Sequence, residues 1–346
     1  MAIQRYISNV TRGLGLFVAT LLTVARIASA EEPLLQPGLG RAADFSAVYP
    51  TNAFPAGTHQ IVGVFQLPSG RSFKDLTCQL VAVDVGSAAP PDSSVAVARA
   101  ELTSHSGDRG SFQFVSPRAF PAGRYRMDVT GDGQRWKPAE FSVAAASSDT
   151  DSPLSADRAI PLSDGHSWTY DFLLESGRGV HLTLDNFKPG ADGKFRGTVT
   201  ERVLGHDAAG IHVEARLGPS PLEEWWQIDR KGFVITQRKI QGEMFVVDPP
   251  QLFLPWPPKT PQSWDWRAKD RTIGVHQTSH MWGPVPVAGP NGPTPGFVVL
   301  IQEQNPDGPT VTFERHYLPG FGKVREVLVE AVKGELVLRQ ELTLKK

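Results

Sequence analysis

The sequence is poor in cysteine: Cys78 is the only one in 346 residues. An intramolecular disulfide needs two cysteines, so apolar cores must stabilise the fold. Cys78 lies in the apolar-rich, strand-like segment 76–83. We predict that it is a small buried hydrophobic residue and not a reactive thiol, because nothing beside it in sequence would lower its pKa.

The common catalytic motifs are also missing. There is no G-x-S-x-G elbow, no phosphate-binding glycine loop and no dinucleotide fingerprint. His276 and His280 lie in a predicted strand, where four residues separate side chains by roughly 13 Å, too far to share a metal ion. Glu223 and Glu224 are adjacent in a strand and should face apart. We predict no metal site and no cofactor, assign no catalytic residue, and favour a non-enzymatic protein.

Neither sign of charge is in large excess, with 35 basic and 36 acidic side chains. Such a balance gives no electrostatic reason to expect nucleic acid or an anionic membrane surface as a partner. The apolar run Leu14–Ala25 has only twelve residues and ends at Arg26, which is too short to span a bilayer. We therefore predict no transmembrane segment.

Residues 1–30 instead have the pattern of a secretory signal peptide. Arg5 and Arg12 precede the apolar run, and Ala28-Ser29-Ala30 is an A-x-A cleavage site. The arginines are not adjacent, which favours general secretion. The residue at the cleavage point is Glu31 and not the cysteine that a bacterial lipoprotein needs, which excludes lipid anchoring by that route. We predict a periplasmic or extracellular protein that keeps 32 basic and 36 acidic side chains, a net charge of −4 with neutral histidines.

The remaining chain predicts an all-β protein. Short runs with period-two alternation recur between Gly, Pro, Asn and Asp, and helical periodicity is almost absent. Small and polar residues replace the strand pattern near 147–157, as in a linker. We divide the chain into an N-terminal extension (31–43), a first β domain (44–146), this linker and a second β domain (158–346).

The first domain has about seven predicted strands, the number expected for an immunoglobulin-like β-sandwich. Its clearest signal is the segment 120–130, followed by Gly131-Asp132-Gly133. Tyr125, Met127 and Val129 should face the core, Asp132-Gly133 suits a tight hairpin turn, and Tyr125 could form a tyrosine corner. The segment resembles the closing hairpin of bacterial exported sandwich modules, a likeness that implies architecture and no activity.

The second domain has about a dozen predicted antiparallel strands. Val324, Val327 and Val329 alternate with Arg325, Glu326 and Glu330, with one predicted register break. Sequential hairpins of this kind form a meander that can curl into a half-barrel, a barrel or a large twisted sheet. The sequence leaves closure open.

Three segments of this domain carry a family resemblance: 160–170 with Gly165-His-Ser-Trp168, 252–264 with Leu252-Phe-Leu-Pro255, and 317–324 with Tyr317-Leu-Pro-Gly320. They resemble landmarks of the TapB-like group of bacterial exported β proteins. The resemblance implies an antiparallel β fold for residues 158–346 and supplies no catalytic residues.

Seven of the eight tryptophans lie in the second domain, and large flat side chains can line a ligand pocket. Trp225 and Trp226 are adjacent and should point to opposite faces of a strand. The proline-rich segment 249–261 should be an extended loop, because proline is excluded from central strands. We predict Trp226, Phe253, Leu254 and Trp256 as ligand-binding residues, with this loop either a lid over a curved sheet or a structural plug.

Three functional hypotheses follow. The first is a non-enzymatic binding or assembly module of the cell envelope, because a sandwich joined to a large β domain is a common layout for adhesion and assembly. The second is a carrier of a hydrophobic ligand in the curved second domain. The third is a hydrolase of envelope polymers. The protein or small-molecule partner is left open.

Overall fold

The fold was analysed in a computed structural model that describes residues 33–68, 72–73, 75–103, 107–145, 159–182, 188–217, 220–268, 275–304 and 308–345. The predicted signal peptide and the predicted linker lie outside the described residues. The predicted all-β class is confirmed: the described residues form sheets that are antiparallel except for one parallel pair, Ala53–Phe54 with Ala139–Val143, and one short 3₁₀ helix lies at Gly86–Ala88.

The N-terminal part contains eleven strands: β1 (Leu34–Arg41), β2 (Ala47–Pro50), β3 (Ala53–Phe54), β4 (Gln60–Gln66), β5 (Leu76–Asp84), β6 (Ser93–Arg99), β7 (Glu101–Leu102), β8 (Arg109–Val115), β9 (Gly123–Gly131), β10 (Gln134–Arg135) and β11 (Ala139–Val143). They form a five-stranded sheet, β2-β1-β4-β8-β7, and a six-stranded sheet containing β3-β11-β9-β5-β6, with β10 paired to β9. β1 lies in the segment that we expected to be an extension, and its pairing with β4 makes it part of the sheet.

The two sheets share one apolar core. Phe65 and Phe112 of the first sheet and Cys78, Met127 and Val129 of the second are all at most 3% exposed and belong to the same cluster. In β9, buried residues alternate with more exposed polar ones, as in packed sandwiches, whereas β4 of the first sheet is buried along most of its length. We call this unit the N-terminal sandwich (residues 34–143); its immunoglobulin-like topology stays a prediction.

The local signals at the closing hairpin are confirmed. Tyr125 is 2% exposed, and its hydroxyl donates to the carbonyl oxygen of Pro121 at 2.8 Å. Asp132 and Gly133 have φ of 49° and 78° and connect β9 to β10. Positive φ at both positions is what a two-residue turn of this kind needs, and Asp-Gly supplies it.

The C-terminal part contains twelve strands: β12 (Ser167–Ser176), β13 (Phe195–Asp207), β14 (Gly210–Leu217), β15 (Ser220–Asp229), β16 (Gly232–Ile240), β17 (Glu243–Pro255), β18 (Gln262–Arg267), β19 (His276–Gly289), β20 (Gly292–Gln304), β21 (Thr310–Leu318), β22 (Gly322–Val332) and β23 (Glu335–Leu344). They form one antiparallel sheet in the order β17-β16-β15-β14-β13-β12-β23-β22-β21-β20-β19-β18. The 12-stranded sheet curves into a nearly closed, barrel-like shape.

The predicted register break in β22 is confirmed. His316 of β21 pairs with Arg325, but the next residue, Tyr317, pairs with Lys323. Val324 is therefore the extra residue of a β-bulge. After this extra residue, the alternation of side chains between the two faces of β22 is shifted by one position. This is why Val324 shares a face with Val327 and Val329 despite the odd spacing.

The 12-stranded sheet has two differently covered faces. Cross-strand partners share a face. The pairs Tyr170–Val199 and Val203–Val213 place apolar residues in the interior, and Phe233 belongs to the same apolar cluster. The outward residues of β19 to β22, including Trp282, Leu300 and Val327, join the core cluster of the N-terminal sandwich instead. Strands β19 to β22 are therefore covered on both faces.

Specific polar contacts fix the sandwich on the sheet. The Tyr49 hydroxyl donates to the carbonyl oxygen of Pro286 at 2.7 Å, and the backbone N–H of Ala43 donates to Thr312 Oγ1 at 3.2 Å. Gly40 lies so close to the sheet that an added Cβ would be 3.1 Å from Leu300. Among the described residues, no helix has the length and apolarity needed to cross a membrane.

Candidate functional site

The predicted ligand-binding residues meet in the interior of the 12-stranded sheet. Phe253 and Leu254 are 4% and 1% exposed, Trp256 is 6% exposed, and Trp226 is half-buried. All four belong to the interior apolar cluster or pack against it. Their role in ligand binding stays a prediction, because three of them are core residues by burial.

The prediction of an extended proline-rich loop at 249–261 is wrong for the first half of that segment. Residues 249–255 continue β17, which stands at one end of the sheet order. Proline is excluded from central strands, but β17 is an end strand and needs backbone ladder hydrogen bonds on one side only, so it can contain prolines. Only residues 256–261 connect β17 to β18, so Phe253 and Leu254 belong to a strand and not to a lid.

Three half-buried indoles line the interior around β17. The Trp226 ring packs on Phe253 with centroids 4.9 Å apart, and its N–H donates to Glu224 Oε2 at 2.8 Å. On the other side of β17, Trp264 of β18 donates to the carbonyl oxygen of Leu252 at 3.0 Å, and Trp266 donates to that of Pro249 at 2.7 Å. We call these three residues the indole wall.

A chain of polar side chains runs beside the indole wall. Arg238 donates to Gln251 Oε1 at 2.6 Å, the Gln251 amide donates to Gln277 Oε1, and the Gln277 amide donates to Glu303 Oε2 at 3.0 Å. Gln277 pairs with Trp266 on one side and with Glu303 on the other, so all three share the inward face. We call Arg238, Gln251, Gln277 and Glu303 the amide relay.

A second polar chain crosses the opposite part of the sheet. Lys323 Nζ lies 2.7 Å from Glu201 Oε1 and 3.5 Å from Glu326 Oε2, and Arg315 Nε donates to the same Glu326 oxygen at 2.6 Å. The Tyr170 hydroxyl donates to the carbonyl oxygen of Lys323 at 3.0 Å. Buried charges persist only when paired in this way.

The two chains interact electrostatically. Burial by itself would raise the pKa of Glu224, but Arg238 at 2.8 Å, the Trp226 N–H and the more distant charge of Arg315 together lower it. Burial likewise opposes ionisation of Glu326, yet Lys323 and Arg315 lower its pKa to about 2. Both carboxylates therefore stay ionised at neutral pH.

The interior is not completely filled by side chains. Arg238 and Arg315 point inward from the middle of their strands, yet 26% and 21% of their side-chain surfaces remain accessible. Phe313 and Leu328, a directly paired inward couple, are also only half-buried. The exposed fractions of these inward side chains indicate that water can reach part of the interior.

A surface depression of about 310 Å³ is lined by His206, Asp207, Gly210, Ile211, Trp226, Gln227 and Ile228. Trp226 is the one residue that the depression and the indole wall share.

The sequence prediction about Glu223 and Glu224 is confirmed. Glu223 faces outward, 2.9 Å from Lys239 Nζ and 2.8 Å from His212 Nε2, whereas Glu224 faces inward. Trp225 also faces outward and stacks on His212 with centroids 4.2 Å apart. The described residues contain no group of three or more His, Cys, Asp or Glu side chains that could hold a metal ion.

Sequence reasoning missed most of the polar interior, namely Glu201, Arg238, Gln251, Gln277, Glu303, Arg315, Lys323 and Glu326. A signal was present in the alternation: Glu224 is in phase with Leu222 and Trp226, and Glu326 is in phase with Leu328. Polar residues at inward positions are unusual enough to mark an interior site.

Comparisons with known proteins give little further information. The chain matches no family model, and no curated protein is similar to it. One solved structure, described as a putative exported protein with a YmcC-like fold from Bacteroides fragilis, is 16% identical, with a TM-score of 0.26, and covers 54% of this chain and 99% of its own. A likeness this weak carries no argument, and the TapB-like resemblance stays an expectation.

Proposed function

We propose that this is an exported, non-enzymatic binding protein that takes a small ligand into the interior of the 12-stranded sheet. The observation that carries the proposal is the indole wall: three half-buried tryptophans face the interior beside a polar relay. Aromatic rings with a few oriented polar groups are the usual lining of a small-molecule site.

A carrier of a purely apolar ligand is less well supported. Glu224, Arg238 and Gln251 lie in the same region as the indoles. An aliphatic ligand placed there would take their remaining water contacts away and return no hydrogen bonds, at a cost of about 1–3 kcal/mol for each polar group.

A hydrolase is also less well supported. General acid catalysis needs a carboxyl that holds a proton near neutral pH, whereas the pKa values of Glu224 and Glu326 are lowered. Burial, and then the nearby Glu303, raise the pKa of Glu330. One carboxyl with a raised pKa, without a positioned nucleophile or base, does not define a mechanism.

Native mass spectrometry of residues 31–346, purified from a secreting host, tests the proposal. We expect a reproducible extra mass that is released on unfolding and is reduced in Trp226→Ala. Phe321→Ala is the matched control, because Phe321 is 37% exposed in the turn before β22 and lies outside the indole wall. The proposal would be contradicted if both variants carried the extra mass to the same extent. It would also be contradicted if the wild-type protein carried no extra mass and bound no component of the host's envelope extract.

A further inference from the structure

The indole wall offers ring faces to a ligand and not hydrogen-bond donors. An indole has a single N–H donor, and in each of these residues that donor is already engaged: by Glu224 for Trp226, by the Leu252 carbonyl for Trp264 and by the Pro249 carbonyl for Trp266. These bonds also orient the rings. A ligand that uses the wall must therefore stack on the rings with an apolar face of its own.

The amide relay supplies the complementary polar contacts. A glutamine amide has two donor hydrogens and two acceptor lone pairs. Within the relay, Gln251 donates once to Gln277 and accepts once from Arg238, and Gln277 donates once to Glu303 and accepts once from Gln251. These bonds use one of the two donors and one of the two acceptors of each amide, and the remaining donor and acceptor suit hydroxyl groups, which both donate and accept. Gln251 and Gln277 are only 4% and 7% exposed and face the interior, so a ligand would have to bind them from the inside of the sheet.

The charges of the interior disfavour strongly charged ligands. Arg238 is paired with Glu224, Arg315 with Glu326, and Lys323 with Glu201 and Glu326, so these charges neutralise one another. An ionic ligand would lose its hydration there without gaining an unpaired opposite charge. A neutral ligand avoids this penalty.

We infer that the ligand is a neutral carbohydrate whose sugar ring stacks on the indole wall and whose hydroxyls bind the amide relay. Sugar rings combine apolar C–H faces with a rim of hydroxyls, which is the combination that these two sets of side chains accept. The inference rests on the proposed function and narrows its ligand to one chemical class.

The test uses maltohexaose, cellohexaose and chitohexaose as neutral probes and palmitate as an apolar one, with the mature chain. We expect at least one sugar to bind, with saturation transfer to its ring C–H protons and upfield shifts of the same protons, because they would lie over indole faces. Trp226→Leu should weaken that binding about tenfold or more, whereas Phe321→Leu should leave it unchanged. Circular dichroism and melting curves establish that both variants fold.

The NMR arm needs no variant, so it decides the question even if Trp226→Leu unfolds. No sugar binding, or sugar binding without saturation transfer and upfield shifts of the ring protons, would overturn the inference. Palmitate binding without sugar binding would overturn it and leave the proposed binding function intact. If no probe binds and the wild-type protein carries no extra mass in native mass spectrometry, both the carbohydrate inference and the proposed binding function are overturned.

Discussion

The indole N–H of Trp266 donates to the carbonyl oxygen of Pro249 at 2.7 Å, and this bond joins the two end strands of the 12-stranded sheet. Pro249 and Pro250 have no backbone N–H and cannot supply a normal ladder to β18. Trp264, which donates to the Leu252 carbonyl, makes a second bond of the same kind. Tryptophan side chains of β18 thus connect it to β17 where the described ladder stops.

Trp266→Phe should loosen this connection. The substitution keeps an aromatic ring but removes the donor to Pro249, a loss of about 0.5–1.5 kcal/mol. Hydrogen exchange should become faster in β17 and β18 and stay unchanged in the N-terminal sandwich. Trp136→Phe is the control, because the Trp136 N–H is buried without a partner; faster exchange of β17 and β18 in that variant would count against the prediction.

Glu326 should make the protein sensitive to acid. Its pKa falls from 4.5 to about 2 in the folded protein, so the unfolded state binds a proton more readily. The stabilisation is present above about pH 4.5 and is lost as the pH falls towards 2, by about 3 kcal/mol in all.

Urea unfolding at several pH values measures this contribution. Glu326→Gln should lower stability at pH 7, because Lys323 and Arg315 lose a buried partner, and should flatten the dependence on pH between 4.5 and 2. The exposed Glu243→Gln is the control and should keep the wild-type slope. An unchanged slope in Glu326→Gln would show that other carboxylates cause the acid sensitivity.

Glu314 should hold the sandwich on the sheet. Its Oε1 accepts from His316 Nε2 at 2.6 Å, from the Tyr49 backbone N–H at 3.3 Å and from Arg325 Nη1 at 3.4 Å. Burial alone would raise the pKa of Glu314, but His316 and Arg325 lower it overall. One carboxylate oxygen therefore links both units.

Glu314→Ala removes the acceptor of all three groups at a cost of about 1–3 kcal/mol. We expect calorimetry to resolve separate transitions for the sandwich and the 12-stranded sheet, or a larger separation than in wild type. Glu175→Ala, which removes a more exposed ion pair with Lys194, should leave the transitions together. A single unchanged transition in Glu314→Ala would contradict the role.

Cys78 should be inert in the folded protein. It is buried between the two sheets of the sandwich, and burial, followed by the charge of Asp128, raises the pKa of its thiol to about 12. Only the thiolate reacts. Labelling with a thiol reagent at pH 8 should be very slow in native buffer and complete in 6 M guanidinium chloride at the same pH; rapid native labelling would contradict the burial.

The sequence predicts the role of some residues and not of others. Tyr125 and Asp132-Gly133 were predictable because their roles depend on neighbours within a few residues. Glu326 was not, since Val324 to Glu330 alternate like a strand with one wetted face. Both faces of β22 are covered, one by the N-terminal sandwich and one by the interior, so its charged residues are buried and paired.

The sequence by itself determined the all-β class and most strands and turns, because period-two alternation and turn chemistry act over short distances along the chain. It did not show that β1 and the second half of β17 are strands. Tertiary structure alone decided that β17 and β18 meet and that Trp226, Trp264 and Trp266 line one wall. It also decided that Arg238, Gln251, Gln277 and Glu303 form a relay. These contacts join residues of six strands, β15 to β20, and their geometry depends on the curvature of the whole sheet, which no local pattern specifies.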